Sequence, residues 1–174
     1  HSLGLVVRDV AKRGNSLGDH IAAIGNAEDA DVLNVKFPCD SGLLQVLYHA
    51  SDAVLANSGH EPFGLVGLEA MAAGGVAFTG GTGEDYAVHL HNSVTLETAD
   101  PREIEAYAMY LYDNREATSR MRSAATLTAR RFTWEDAMNT LVQKVALQSA
   151  IRGLPSRPRD KQVAPTRVEE ADGI

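Results

Sequence analysis

The sequence contains almost no cysteine. Among 174 residues Cys39 carries the single thiol, so no disulfide can form within the chain. Proteins of reducing compartments rarely contain disulfides, so a chain that cannot form one is expected to be cytoplasmic. Long apolar runs are also missing, since none approaches the ~20 residues that a transmembrane helix requires. We therefore expect no stable membrane span.

Basic charge is scarce. The 16 Lys and Arg residues are outnumbered by 23 Asp and Glu residues, which gives a net charge of −7. A broad nucleic-acid surface or a polybasic membrane patch needs the opposite balance, so neither is expected. No Gly-Lys pair occurs, which excludes the phosphate-binding loop of nucleotide hydrolases.

Motifs for metals and dinucleotides are incomplete. Gly81-Thr82-Gly83 begins like a dinucleotide fingerprint but lacks the third glycine. His60-Glu61 does not continue into a metalloprotease spacing, and we interpret His89 and His91 as loop or surface residues. The sequence therefore predicts neither a metal ion nor a nicotinamide cofactor.

The composition changes near the carboxyl end. Hydrophobic residues make up 44% of the chain, which is enough for one sizeable core. Half of the six prolines fall after Arg152, among charged residues that keep no apolar period. We expect one domain at 1–150 and an extended or disordered tail at 151–174. Since the first residue is His1 rather than Met, we also expect a fragment of a longer protein.

Short apolar runs alternate with helical patterns along the first 150 residues. They predict strands at 3–7, 32–35, 53–56, 76–78 and 93–96. This alternation predicts an α/β fold, with a Rossmann-like parallel sheet whose strands are buried and covered by helices on both faces. Ligands bind outside the carboxyl ends of the strands in such a sheet.

The predicted helices carry start signals and apolar faces. Small polar residues indicate the N-caps: Asn15 or Ser16, Asp40 or Ser41, Asp100, and Thr133. Glu103 would complete a capping box with Asp100. Apolar spacing predicts three inward faces: Leu65, Leu68 and Ala72; Ile104, Ala108 and Leu111; Ala137, Leu141 and Val145. We expect the helix that starts near 41 to be deeply packed. A solvated face is expected for four basic residues: Arg120, Arg122, Arg130 and Arg131.

The turn between the third strand and its helix is the most informative stretch. Gly64 lies where the helix begins and Gly67 lies one turn on, so a ligand or another backbone can approach closely. The first N–H groups of the helix, near Phe63, Gly64 and Leu65, have no intrahelical partner and lie at the positive end of the helix dipole. The sequence therefore predicts an anion site.

Two carboxylates accompany this anion site. Glu61 precedes the helix and Glu69 lies in its second turn. Because both would repel a phosphate, we expect their partners to be neutral hydroxyl groups. A ligand with a charged middle and hydroxyl-rich ends fits this division, and a nucleotide-sugar has that layout.

These residues resemble a known motif. Glu61-Pro62-Phe63-Gly64-Leu65, Glu69 and the helix end at 70–74 look like the donor site of retaining glycosyltransferases of the GT-B fold, such as glycogen, sucrose and trehalose synthases. The resemblance implies that catalytic Glu61 contacts the hexose, that the amides of residues 63–65 hold the hexose and diphosphate, and that Glu69 holds the ribose. His60 adjoins Glu61 and is either a further sugar contact or a polar residue at the strand end.

Two later segments extend the resemblance. Gly80, Gly81 and Glu84 match a Gly-Gly-x-x-Glu turn that lines the donor pocket in the family. Phe132-x-Trp134 matches a pattern that precedes the closing helix of the family, after which the chain returns toward the other domain. Ser93 departs from the usual Asn-Gly, since glycine is expected after Asn92.

The resemblance implies that the chain is the C-terminal, donor-binding half of such an enzyme. The N-terminal acceptor-binding domain would be missing, as would a first strand and helix that supply an Arg and a Lys to the diphosphate. Lys12 and Arg13 follow the first predicted strand and are not assigned that role. We therefore expect this chain alone to transfer little or no sugar, with a nucleoside-diphosphate sugar as its partner and no cofactor.

Three alternatives remain at this point. A GT-B phosphorylase or a nucleotide-sugar epimerase would share the fold. A non-catalytic nucleotide-sugar-binding or scaffolding module would share the site without the reaction. An α/β domain for an apolar cofactor is the third, and the pair Glu61 and Glu69 argues against it.

Overall fold

The computed structural model describes residues 5–11, 14–27, 29–58, 61–98 and 100–152. The chain divides into two compact units, His1–Arg131 and Phe132–Ile174. The described part of the first unit holds five strands: β1 (Val7–Val10), β2 (Val32–Val35), β3 (Val54–Ala56), β4 (Ala77–Thr79) and β5 (Val94–Thr95). It also holds five helices: α1 (Leu17–Gly25), α2 (Ser41–Ala50), α3 (Leu65–Ala72), α4 (Pro101–Asp113) and α5 (Arg115–Ala129). The second unit holds α6 (Trp134–Ile151).

All strand pairings between these elements are parallel, which confirms the predicted α/β class. β1 pairs with β2, and β4 lies between β3 and β5 in a separate sheet. The described strands thus form two parallel sheets, where the sequence predicted one. Helix α3 connects β3 to its parallel neighbour β4, so the carboxyl ends of these two strands lie side by side.

The amino-terminal part is less buried than predicted. Residues 3 and 4 of the predicted first strand lie outside the described residues, and of the rest only Val7 falls within β1. Val7 is 60% exposed, whereas Val10 is buried. In α2 only Leu43 is buried, so the expectation of a deeply packed helix is wrong. The reason is the size of the local core, in which Val10, Phe37 and Leu43 are the buried members. A sheet of two strands offers α2 too little apolar surface to cover a whole helix.

The N-cap predictions are confirmed at all four helices. The side chains of Ser16, Asp40, Asp100 and Thr133 each accept a hydrogen bond from a backbone N–H in the first turn of their helix. A capping box forms, but at Ser16 with Asp19.

The predicted capping box at Asp100 is wrong. The carboxylate of Glu103 accepts hydrogen bonds from the backbone N–H groups of Glu97 and Thr98, both at 2.9 Å. It also accepts the Thr98 hydroxyl at 2.6 Å. Glu103 therefore ties the segment after β5 to α4, because that segment offers three donors to one carboxylate.

Helix α3 packs into the main core differently from the prediction. Leu68 is buried as expected, but Leu65 is 51% exposed and Ala72 is exposed. The buried residues are Gly67, Leu68, Ala70 and Met71. The helix contacts β3 and β4 on one side and α5 on another, so it buries two faces instead of one stripe. The exposure of Leu65 leaves the amino end of the helix open.

A second core lies under α4. Ile104 and Leu111 pack there with Phe78 of β4, as predicted for the inner face of this helix. Ala108 is exposed, which corrects the third member of that face. It lines a cleft of about 290 Å³ with Asp52 and Arg115.

The second unit is described for α6 and the residues next to it. No residue of this helix is buried, and Leu141 and Val145 are 53% and 56% exposed. The predicted inward face with Ala137 is therefore wrong for the described structure. The described residues of this unit contain no second element to cover that face. The predicted tail, which follows Arg152, lies outside the described residues. None of the helices described here is long and apolar enough to cross a bilayer.

The basic residues of α5 divide into two kinds. Arg120, Arg130 and Arg131 are exposed as expected, and Arg120 pairs with Glu116 on its own helix. Arg122 is half-buried and corrects the prediction of a solvated face. Its guanidinium donates to the carbonyl oxygens of His49 (3.1 Å), Gly74 (2.8 Å) and Ser51 (2.7 Å). It therefore holds the carboxyl ends of α2 and α3 against α5.

Arg122→Met should lower the free energy of unfolding by about 2–3 kcal/mol, because three carbonyl groups lose a charged donor. Arg120→Met is the matched control. It removes an exposed pair on the same helix and should cost less than about 0.5 kcal/mol. Urea unfolding followed by circular dichroism measures both values. Equal losses in the two variants would contradict the structural role of Arg122.

Stability should also depend on the Glu103 carboxyl. Backbone N–H groups of Glu97 and Thr98 and the Thr98 hydroxyl hold its pKa below the ordinary 4.5. A lowered folded-state pKa contributes stability above the unfolded value and loses it as the pH falls through the folded value. The stability difference between wild type and Glu103→Gln should therefore be full at neutral pH and shrink below pH ~4.5. Urea midpoints at several pH values measure it, and a difference independent of pH would refute the assignment.

Candidate functional site

The turn from β3 into α3 ends in a left-handed glycine. Gly64 is the N-cap residue of α3 with φ 77° and ψ 55°, a conformation that L side chains rarely adopt. No side chain among the described residues caps this helix end, and its first turn carries no acidic residue. Among the described residues, neither a side-chain cap nor a carboxylate therefore lies in the first turn of α3, and the anion site at its first N–H groups stays a prediction.

Protein side chains occupy the space that Gly64 and Gly67 leave. A Cβ atom on Gly67 would lie 2.5 Å from the Tyr86 hydroxyl oxygen and 3.0 Å from the methyl group of Thr79. A Cβ atom on Gly64 would lie 3.0 Å from the same hydroxyl and 3.2 Å from Thr82 Oγ1. Of the two kinds of close approach that the glycines left open, a backbone is present at Gly64, since the carbonyl carbon of Thr82 lies 3.3 Å from its Cβ position. The rest of this space is filled by the buried side chains of Thr79, Thr82 and Tyr86, from the end of β4 and the segment that follows it.

The glycine-rich turn after β4 lies beside the first turn. Ala56 at the end of β3 pairs with Thr79 at the end of β4, so both turns leave the same edge of one sheet. Gly80 is half-buried near Asn57, while Gly81 is exposed and has no heavy atom within 4 Å of its Cβ position. Glu84 is exposed. The open side of this turn is therefore at Gly81.

Asn92 holds the glycine-rich segment in place. Its side-chain amide donates to the carbonyl of Tyr86 at 2.9 Å and to Thr128 Oγ1 of α5 at 3.0 Å. Its side-chain oxygen accepts the Val88 N–H at 2.7 Å. Asn92 is 1% exposed, and the neighbouring Ser93, where the resemblance led us to expect glycine, is fully buried. The segment after β4 is thus fastened to α5.

Tyr86 joins the two turns, and the sequence analysis did not identify it. Its hydroxyl donates to the carbonyl oxygen of Gly64, and its ring lies 5.5 Å from that of Phe63. Burial first, and then the charge of Glu61, raise the pKa of the Tyr86 phenol, whereas the backbone N–H of Leu68 lowers it. A glycine inside a strongly apolar helix, Gly67, was the available signal that a large side chain passes there.

The two predicted carboxylates act on different neighbours. Glu61 is half-buried, and its charge acts on the Tyr86 phenol. Glu69 is exposed on α3. After burial, its charge is the next cause that raises the pKa of Tyr48 on α2. The acids therefore lie toward Tyr86 and toward Tyr48, respectively.

The cleft of about 290 Å³ beside α4 is a separate feature. Asp52, Ala53, Met109 and Tyr112 are among its lining residues, and none of the predicted site residues lines it. Asp52 and Ala53 precede β3, so the cleft lies at the amino end of that strand. Ligands of parallel α/β sheets bind at carboxyl ends, and we therefore assign the candidate site to the two turns.

Some predicted residues lie outside the described part of the chain. They are His60, and also Lys12 and Arg13, which were not assigned to the site. Within the described ranges, no three His, Cys, Asp or Glu side chains lie close enough together to hold a metal ion.

Comparison with known proteins gives one family and several solved structures. The family model described as "Glycosyl transferases group 1" matches residues 18–128. No curated protein matches the chain. The C-terminal domain of the group 1 glycosyl transferase LpcC from Francisella tularensis is 21% identical, with a TM-score of 0.53 over 66% of this chain and 60% of that one.

Two longer structures show the same likeness. Anabaena HepE, solved in complex with UDP, is 23% identical with a TM-score of 0.56, and the match covers 76% of this chain and 36% of that one. Sucrose-phosphate synthase from Thermosynechococcus elongatus is 18% identical with a TM-score of 0.61, over 83% of this chain and 38% of that one. The fold is therefore that of the C-terminal domain of GT-B glycosyltransferases. The chain spans between about a third and three fifths of the length of these structures.

Gly67→Ala should destabilise the protein by about 1–3 kcal/mol, because the new methyl group collides with the Tyr86 hydroxyl in a packed core. Gly18→Ala in α1 is the matched control, since its nearest neighbour would be 3.7 Å away. We expect that control to be neutral or stabilised by up to ~1 kcal/mol. Thermal and urea unfolding compare them, and a harmless Gly67→Ala would contradict the close packing at Tyr86.

Proposed function

Because the chain belongs to the glycosyl transferases group 1 family, we propose that it is the donor-binding domain of a retaining hexosyltransferase that uses a nucleoside-diphosphate hexose. One observation carries the proposal: the left-handed Gly64 opens α3 without a side-chain cap, at the edge where the ends of β3 and β4 meet. Backbone amides at the amino end of a helix are suited to the diphosphate of a nucleotide-sugar.

The proposed roles follow the chemistry of each group. The amides of Phe63, Gly64 and Leu65 hold the diphosphate and the nearest part of the hexose. Glu61 orients the hexose as the proposed catalytic residue, and Glu69 accepts hydrogen bonds from the ribose hydroxyls. The open turn at Gly81, with Gly80 and Glu84, lines the other side of the donor, and His60 is a further proposed sugar contact.

The charge of the site supports a division of labour with a second domain. The described turn residues 61–69 and 79–86 contain no Lys or Arg, whereas they contain Glu61, Glu69, Glu84 and Asp85. A helix amino end contributes about 0.3–1 kcal/mol toward an anion, and up to ~2 kcal/mol in favourable geometry. That is little against a diphosphate with two negative charges. We therefore propose that the chain alone binds donors weakly and transfers little or no sugar.

An acceptor-binding N-terminal domain would complete the enzyme. Anabaena HepE has been solved with UDP-glucose, and the match covers 40% of that chain, so most of that protein lies outside the region shared with this one. By analogy of fold, such a second domain would supply the acceptor-binding site and the positive charge that the described turns lack. We propose a cytoplasmic site of action and assign this half no cofactor.

A second candidate is a non-catalytic nucleotide-sugar-binding module. The lack of cations in the described turns favours it as much as it favours an incomplete enzyme. Joining the chain to an acceptor-binding domain separates the two, because a catalytic half would then gain transfer activity that depends on Glu61. A binding module would gain none.

Glu69→Ala should weaken nucleoside diphosphate binding by about 1.5–3 kcal/mol, because the ribose hydroxyls lose a charged acceptor. Isothermal titration calorimetry with UDP, GDP and ADP, each with and without an attached hexose, measures this. Glu116→Ala is the control, since it removes another exposed helical carboxylate, from α5. An unchanged affinity in Glu69→Ala would refute the ribose role. No binding of any nucleotide to the wild type would refute the donor site.

A further inference from the structure

Tyr86 is a buried aromatic side chain that reaches from one turn of the site to the other. It is 3% exposed, and its hydroxyl donates to the carbonyl oxygen of Gly64. The hydroxyl lies where a side chain on Gly67 would have to be, so the first two turns of α3 are built around it.

The Gly64 carbonyl belongs to the same planar peptide group as the N–H of Leu65. In a trans peptide the two bonds point in opposite directions. Fixing the carbonyl therefore fixes the direction of the Leu65 N–H. A hydrogen bond to the carbonyl also polarises the group, which strengthens the N–H as a donor by a few tenths of its energy at most.

We propose that Tyr86 is a positioning residue of the donor site, which holds the Gly64–Leu65 peptide group so that the Leu65 N–H points out toward the diphosphate. This rests on the proposed function. The phenol is buried, whereas Leu65 is 51% exposed. Substrate contact is therefore left to the amide, and Tyr86 acts through it.

The surroundings keep the phenol from moving. The backbone N–H of Tyr86 donates to the Gly83 carbonyl at 3.0 Å, and the Tyr86 carbonyl accepts the Asn92 amide at 2.9 Å. Asn92 is in turn bonded to Thr128 of α5. Burial first, and then the charge of Glu61, raise the pKa of the same phenol.

Tyr86→Phe tests the proposal, because it removes the hydroxyl and keeps the ring. Tyr107→Phe is the matched control, since Tyr107 packs on the second core, whereas Tyr86 belongs to the main core with α3. The readouts on the full chain are the ¹³C shift of the Gly64 carbonyl, the ¹⁵N shift of Leu65, and the affinity for UDP, GDP and ADP by calorimetry. We expect both shifts to change in Tyr86→Phe alone, with nucleotide affinity lower by roughly 5- to 30-fold.

A second measurement needs no variant. In the wild-type protein the Gly64 carbonyl shift should follow the ionisation of the Tyr86 phenol, above the ordinary tyrosine pKa of 10.0. Unchanged Gly64 and Leu65 shifts in Tyr86→Phe, or an equal loss of affinity in Tyr107→Phe, would overturn the positioning role. If the wild type binds none of the three nucleotides, the proposed function and the positioning of the amide for a donor both fail. The shifts then show only whether the phenol holds the peptide group.

Discussion

The close approach between α3 and the segment that follows β4 is the constraint on which the site depends. It requires glycine at two positions of the helix for different reasons, a left-handed backbone at Gly64 and an absent side chain at Gly67. With larger residues there, the Tyr86 phenol could not reach the Gly64 carbonyl. The helix would then lose the contact that sets the direction of its first peptide groups.

This arrangement separates what holds the site from what it presents. Tyr86, Asn92 and Thr128 form a chain of contacts on the buried side, from the amino end of α3 to α5. Arg122 anchors the other end of α3 to the same helix through carbonyl groups. Both ends of α3 are thus fixed to α5, while Leu65 and Glu69 remain exposed. A short helix held at both ends can present amides and a carboxylate with little loss of conformational entropy on binding.

Local signals made the sequence informative about some of these features. The N-caps Ser16, Asp40, Asp100 and Thr133 are decided within a few residues, and the structure confirms each. The order of strands and helices and the place of the two glycine-rich turns also follow from local patterns. What failed depends on tertiary packing. The Glu103 carboxylate accepts hydrogen bonds from the segment after β5 and not from its own helix end. Leu65 is exposed because α3 packs on two sides. Arg122 donates to carbonyl groups at the ends of α2 and α3.

Tyr86 was missed for a related reason. An aromatic residue two positions after Glu84 has no local signature, since its partner Gly64 lies 22 positions earlier in the chain. Gly64 and Gly67 were correctly identified as places of close approach, but a sequence does not say what approaches. A glycine in an apolar helix followed at some distance by a buried tyrosine becomes meaningful only when the pairing of β3 with β4 brings them together.

The charges of the two turns bear on how a donor-binding domain of the proposed kind would bind its ligand. The described turns carry four carboxylates and no cation, so the field around the amides opposes a diphosphate until another group neutralises it. The acids are nevertheless useful, because Glu61 and Glu69 would reject a bare phosphate and accept the hydroxyl-rich ends of a nucleotide-sugar. Under the proposed function, discrimination of this kind would weaken binding in isolation and would become an advantage where a second domain supplies positive charge. The donor would then be held only where both halves meet, which confines the activated sugar to the place where an acceptor is present.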